Sequence, residues 1–362
     1  MKILLLAILG GVVVLPARAE DSFFRILAPS RESRKLLVIH AEPTDDGLQL
    51  RTVHKVNITF GGRSIARNRA GTRFFISGRA NSIGENWAIV DFDEAKRTWK
   101  RPRTFTMPRD YSYLSLDREE RFLLACNYGE GVVDVFRLRE DGAREELAAS
   151  LQEGRKSAHC VLVSPDNRFL YIPYVKENNA LYQYSFDAAS GEVKPLDPLN
   201  VNPPEGTGPR HLAYHPKLPL LYFSEEQGLG VSIYRQGEDG KLAFWKSASA
   251  VGDEAPAEGV SSSDILLTPD GRFAYAGIRG HKHDFDFIAG YAVQPDGDLK
   301  PLGLTKTGKI PWGLAASPDG RYLVVTEFGE GALSVYQIGA DGKLTRAATL
   351  EVDKQISDVE TR

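Results

Sequence analysis

The sequence predicts an all-β chain folded as a seven-bladed β-propeller with four antiparallel strands per blade, and three observations carry that expectation. First, one block recurs. It reads Ser-Pro-Asp-Asn-Arg-Phe-Leu-Tyr at 164–171, Thr-Pro-Asp-Gly-Arg-Phe-Ala-Tyr at 268–275 and Ser-Pro-Asp-Gly-Arg-Tyr-Leu-Val at 317–324, with weaker copies at 69–75, 116–123 and 215–222. Aligned on the Pro or its equivalent, the copies fall at Ala70, Arg118, Pro165, Pro216, Pro269 and Pro318, a period of 47 to 53 residues. Second, each block leads into a short apolar strand, a loop rich in Gly, Asn and Glu, and an alternating strand such as 132–136, 231–234 or 333–336. Turns such as Asp239-Gly240, Asp296-Gly297 and Asp341-Gly342 follow, and Asp-Gly suits a tight hairpin. Four strands in about 40–50 residues is the signature of a propeller blade. Third, residues 20–59 supply only three strands, at Phe23–Ala28, Lys35–His40 and Leu48–Val56. The missing innermost strand is expected at the other end. There, Ser357-Asp358-Val359 resembles Ser263-Asp264-Ile265, the start of an innermost strand in another repeat. Pairing of Ile356–Thr361 with the first three strands would close the ring and remove two exposed sheet edges.

The 362 residues carry 45 Lys+Arg against 48 Asp+Glu, a net charge of −3, and 42% are hydrophobic. This balance excludes a disordered chain and lacks the basic footprint of a nucleic-acid binder. Met1-Lys2, an apolar run from Ile3 to Leu15, and Ala17-Arg18-Ala19 have the form of a cleaved export signal. The run is too short to span a bilayer, and no later run approaches that length. The expected organisation is a signal over 1–19 and one propeller domain over 20–362, exported to the periplasm or secreted, with no membrane span after cleavage. Cys126 and Cys160 each lie in an apolar strand-like run. Two buried free thiols are expected over a disulfide, although an exported protein permits one.

The repeated blocks are read as turns whose aromatic residue packs between blades, without chemistry of their own. Chemistry belongs at one mouth of the central channel, where the loops leading into each innermost strand meet the loops joining second and third strands. The leading loops offer Arg109-Asp110, His159, Arg210-His211 and Trp312. The others offer Arg79, Asn127-Tyr128, Glu225-Glu226, Arg279-Gly280-His281 and Glu327. Arginine forks hold anions or stabilise an oxyanion, and His or Glu can move a proton. The competing reading makes these residues exposed loop polars that bridge neighbouring blades. The sequence contains no Cys-x-x-Cys, His-Glu-x-x-His, phosphate-binding loop or nucleophile elbow, so no cofactor or metal is expected. His281, His283, Asp284 and Asp286 are ligand types in proximity, but Lys282 lies among them.

Gly206-Thr207-Gly208-Pro209-Arg210-His211-Leu212-Ala213-Tyr214-His215-Pro216 resembles the G-x-GPRH-x-x-x-HP segment of the β-propeller lactonases. That family includes propeller-type 6-phosphogluconolactonases and carboxy-cis,cis-muconate lactonizing enzymes. Ala125 to Gly131, Ala158-His159 and Arg279-Gly280-His281 fit the same pattern in order and spacing. The resemblance implies a lactone or sugar-acid substrate and a catalytic set of His159, Arg210, Glu226 and Arg279. Asn127, Tyr128, His211, His281, Trp312 and Glu327 are expected to contact substrate. The sequence departs from the family pattern at Pro311-Trp312-Gly313, where an Arg is usual, and at Glu225-Glu226-Gln227 and Thr326-Glu327-Phe328. Those changes make the mouth less cationic and more aromatic, which, with the export signal, disfavours a phosphorylated substrate. Three activities fit this site: hydrolysis of a sugar or aldonic lactone, lactonization of a muconate-like acid, and non-catalytic binding of a ligand or protein by an exported propeller.

Overall fold

The repeated blocks turn the chain between the first and second strands of successive four-stranded sheets, and seven such sheets form the ring. The structure is a computed structural model that describes residues 23–362 apart from Asp46, Asp253, Glu254 and Ala257; the expected export signal lies outside the described residues. Blades 2 to 7 begin at Gly61, Tyr113, Leu162, Pro209, Ser261 and Pro311, and each runs in chain order from the channel outward. In blade 2 the outermost position is shared by Thr98–Trp99 and Arg103–Phe105, which pair with one strand in turn. No helix among the described residues is long and apolar enough to cross a membrane.

Blade 1 is built from both ends of the chain. Phe24–Pro29, Lys35–Thr44 and Gly47–Asn57 form three strands, and Glu360–Thr361 supplies the fourth by pairing antiparallel with Leu27 and Ile26. A further bridge joins Ser30 to Ile356. The ring therefore closes as the sequence predicts. The Ser-Asp likeness also holds: Asp358 accepts the Ile65 N–H of blade 2 at 2.9 Å, and Asp264 accepts the Leu314 N–H of blade 7 at 3.0 Å. Each aspartate ties its innermost strand to the next one around the channel.

The core lies between blades rather than at one centre. Phe122, Leu124 and Val135 of blade 3, for example, pack with Leu170, Ile172 and Tyr184 of blade 4. A polar clasp accompanies this packing. The tyrosine ending a block donates to the glycine carbonyl of the next blade's Asp-Gly turn: Tyr171 to Gly240 at 2.6 Å, Tyr222 to Gly297 at 2.7 Å and Tyr275 to Gly342 at 2.8 Å. Gly240 has φ +81°, and a Cβ there would stand 2.1 Å from the Phe169 ring, so the turn demands glycine on both conformational and steric grounds. Cys126 and Cys160 are buried free thiols.

Candidate active site

Irregularity in the innermost strands builds the mouth. In blade 5 the register runs from Pro209 opposite Glu225 to Leu212 opposite Phe223, so two residues, Arg210 and His211, oppose one. Blade 6 bulges in the same way at Ser263-Asp264, and blade 7 at Trp312-Gly313. Blade 2 carries one extra residue, Arg63, between Gly62 and Ser64. In blade 4 the pairing breaks between Ala158 and Leu162, around His159. A bulge leaves its extra residue outside the ladder and re-aims the side chain. Gly208 sets up the blade 5 bulge: its φ is +64°, a Cβ would collide with Gln227, and its carbonyl accepts the Glu226 N–H at 2.7 Å.

The four expected catalytic residues come together, together with Trp312. Arg210 is fully buried, and Glu226 Oε2 lies 3.8 Å from its Nε. Arg279, 3% exposed, reaches Glu226 Oε1 at 3.4 Å and donates to the Ser262 carbonyl at 2.6 Å. One carboxylate thus sits between two guanidiniums and leaves the site net cationic. Arg210 Nε, Nη1 and Nη2 and Arg279 Nε are buried without hydrogen-bond acceptors among the described residues. Such unmet donors are costly, and here they converge. Burial and the neighbouring Arg210 bring the Arg279 guanidinium down to about 9. Burial also lowers Arg210, against the pull of Glu226.

His159 stands beside these charges with its Nδ1 lacking a partner. Desolvation, then Arg210, His211 and Arg279, hold it well below the usual histidine range, so the imidazole is neutral and available as a base. The His159 ring lies 4.8 Å from that of His211 and 5.3 Å from that of Tyr128. Trp312 stacks on Phe328 at 4.7 Å. The Arg279 and Arg210 guanidinium carbons lie 4.7 and 5.8 Å from the Trp312 ring, within cation–π range. The aromatic at this departure from the family pattern therefore shelves both arginines.

Other residues expected to contact substrate have protein partners of their own. His281 Nε2 meets Ser261 Oγ at 2.7 Å. Asn127 accepts the Glu130 N–H at 2.7 Å and donates to the Asp110 carbonyl at 3.0 Å, fastening its own loop. Glu327 is 1% exposed and accepts the Gly308 N–H at 2.9 Å. Glu225 is likewise turned inward, onto the Ser232 and Ser247 hydroxyls at 2.5 Å. Glu225 and Glu327 pair with Pro209 and Pro311. That register position turns side chains back into the blade. In the charged loop, Asp286 accepts the Gly280 and Ile310 N–H groups, Asp284 pairs with Lys306, and His283 meets the Glu258 carbonyl. Asp264, which contacts His211, was visible in the sequence only as half of a repeated Ser-Asp pair. His211 and Asp264 also line the central channel, a cavity of about 720 Å³.

At the mouth of this seven-bladed ring stand a histidine, two buried arginines and a bridging glutamate, the set that the resemblance to the propeller lactonases implies. The chain belongs to the family described as lactonase, 7-bladed β-propeller, which residues 34–357 match, and so stands among lactone-hydrolysing enzymes. It is 29% identical over 245 residues to the 6-phosphogluconolactonase of Enterobacter sp. (strain 638), covering 66% of this chain and 70% of the relative. Among solved structures, the periplasmic gluconolactonase PpgL of Pseudomonas aeruginosa superposes with a TM-score of 0.80 at 22% identity, covering 94% of this chain and 99% of the other. A Bacteroides fragilis protein provisionally named a 6-phosphogluconolactonase gives a TM-score of 0.82 at 21% identity, covering 96% and 99%. At these identities the two structures attest the fold.

Proposed function

We propose that the chain is an exported hydrolase that opens an aldonic lactone ring at the channel mouth. The observation that supports this is the convergence of unpartnered Arg210 and Arg279 donors beside a neutral His159. The His159 imidazole takes a proton from water, whose oxygen attacks the ring carbonyl. Negative charge gathers on the carbonyl oxygen, where the free N–H groups of Arg210 and Arg279 stabilise it. Collapse breaks the ring C–O bond, and the imidazolium returns its proton to the departing alkoxide, giving the open hydroxy acid. Glu226 holds the two guanidiniums at a fixed separation and offsets part of their mutual repulsion. Tyr128 and Trp312 supply apolar walls for the sugar ring. Export is supported by the Met1–Ala19 pattern and by the name of the Pseudomonas neighbour.

The test is a lactonase assay on residues 20–362 with spontaneous hydrolysis subtracted. Turnover that disappears in His159→Ala supports the proposal. A well-folded protein with no turnover on any aldonolactone, or full activity in His159→Ala, overturns it.

A further inference from the structure

A cationic pocket opens between blades 1 and 2. Its volume is about 300 Å³, and Arg31, Arg34, Arg63 and Arg79 line it together with Asn81 and no carboxylate. Arg63 is the bulged residue of the blade 2 innermost strand, the position that supplies Arg210-His211 in blade 5. Arg79 pairs with Gly61 as Arg279 pairs with Ser261 in blade 6. Blade 2 therefore repeats, at matching register, the placements that build the catalytic mouth. Arg31 comes from the blade 1 loop facing it.

Among the described residues, no carboxylate of the pocket lining offsets the mutual repulsion of these guanidiniums. Arg31 Nη2 donates to Ser357 Oγ at 3.1 Å, but the buried Nε atoms of Arg31 and Arg63 have no acceptor among the described residues. Burial, and after it the neighbouring Arg63, bring the Arg31 guanidinium down to about 10. A relay of ring contacts links the pocket to Arg279. The Arg31 guanidinium carbon lies 5.2 Å from the Phe328 ring, Phe328 stacks on Trp312 at 4.7 Å, and Arg279 faces Trp312 at 4.7 Å.

We propose that Arg31, Arg63 and Arg79 form an anion subsite that holds a phosphate monoester or carboxylate carried by the substrate away from its lactone carbonyl. Arginine forks match both oxyanions. The proposal rests on the lactonase reading above, and it returns to the mouth a cationic character that the sequence at Trp312 seemed to remove.

Kinetics on residues 20–362 would compare a neutral aldonolactone, its 6-phosphate and a carboxylate-bearing uronic lactone, with Arg63→Met and Arg79→Met as variants. Arg79 is exposed, so its replacement leaves the fold in place should Arg63→Met not fold. The ratio of KM for the anionic to the neutral lactone should rise about tenfold in either variant, as expected for one lost charged hydrogen bond. Whichever anionic lactone shows the larger rise identifies the group. Equal changes on all three substrates overturn the subsite. Calorimetric binding of inorganic phosphate, run in parallel with Arg210→Met as the control for the catalytic arginines, does not depend on turnover. Phosphate binding lost in Arg63→Met but kept in Arg210→Met supports the pocket even if no lactone is opened, in which case the lactonase reading alone fails. Phosphate binding unaltered by Arg63→Met and Arg79→Met overturns the subsite.

Discussion

His211 Nδ1 lies 2.7 Å from Asp264 Oδ1, while the same ring stands 4.8 Å from that of His159. Asp264 also accepts the Leu314 N–H. One carboxylate thus joins the orientation of a ring at the catalytic mouth to the stitching of blades 6 and 7. Burial and the positive Arg210 lower His211, while Asp264 supports its charged form.

Asp264 is a positioning residue on this account. Asp264→Asn can still accept from Leu314, but it presents an amide N–H to His211 and selects the other imidazole tautomer. The expected result is kcat lowered about ten- to a hundredfold, the range seen when a group orienting a functional histidine is lost, with KM little changed. Steady-state kinetics check it; a change confined to KM would make Asp264 a substrate contact instead.

The pH dependence of turnover follows from the lowered His159. A histidine base works only when deprotonated, so activity is lost as pH falls through its folded pKa. Because that pKa lies well below 6.5, kcat/KM should stay level as pH drops from 7 to 6, after subtraction of spontaneous hydrolysis. A rate that halves near pH 6.5 would remove His159 from the role of base.

Arg210 sets activity against stability. Its three side-chain nitrogens are buried without hydrogen bonds among the described residues, and its ion-pair partner, Glu226, retains Arg279 at 3.4 Å when Arg210 is removed. Arg210→Met should therefore lower kcat about 10²- to 10³-fold, the usual cost of an oxyanion donor. It should also raise stability by about 1 kcal/mol, because replacing poorly satisfied buried charge with apolar volume is often stabilising. Assay and thermal melt of the same preparation check both halves.

The channel makes stability depend on pH. Burial in the ring, despite the Ile65 N–H and the Ser64 hydroxyl, raises Asp358 to about 7. Burial likewise raises Glu360 to about 7, against the Arg67 ion pair at 3.1 Å. A carboxyl whose folded pKa is raised binds more protons folded than unfolded, so stability falls as pH rises from the ordinary carboxylate range to about 7 and then levels. Melts at pH 5 and pH 8 should differ in favour of pH 5, and Asp358→Asn, which keeps an acceptor for Ile65, should narrow that gap. An unchanged gap would place the pH dependence elsewhere.

The scaffold was legible because its signals are local and repeated. Arg-Phe pairs and Asp-Gly turns recur at a fixed offset, and the Phe169–Gly240 contact shows why both halves are needed. Closure was legible because Ser357-Asp358 copies Ser263-Asp264 in sequence and in the bond it makes. The repeat made a wider set of polar residues at one mouth legible, and the resemblance to the propeller lactonases singled out His159, Arg210, Glu226 and Arg279 among them. Asn127 and Glu327 have residue types suited to substrate, but sequence does not display whether a side chain turns outward or back into its blade. Arg31 and Arg63 were invisible for a related reason: they lie outside any repeated block, and the bulge that aims Arg63 exists only once strands pair.

The bulges have a consequence for how such a protein changes over generations. Arg63, Arg210 and Trp312 sit where the strand ladder skips a beat, so much of what they contribute is side-chain chemistry rather than pairing. A new residue at these positions alters what the mouth attracts without requiring a matching change in a neighbouring strand. Substrate preference can drift there one substitution at a time, while the tyrosine clasps and the closing strand keep the ring unaltered.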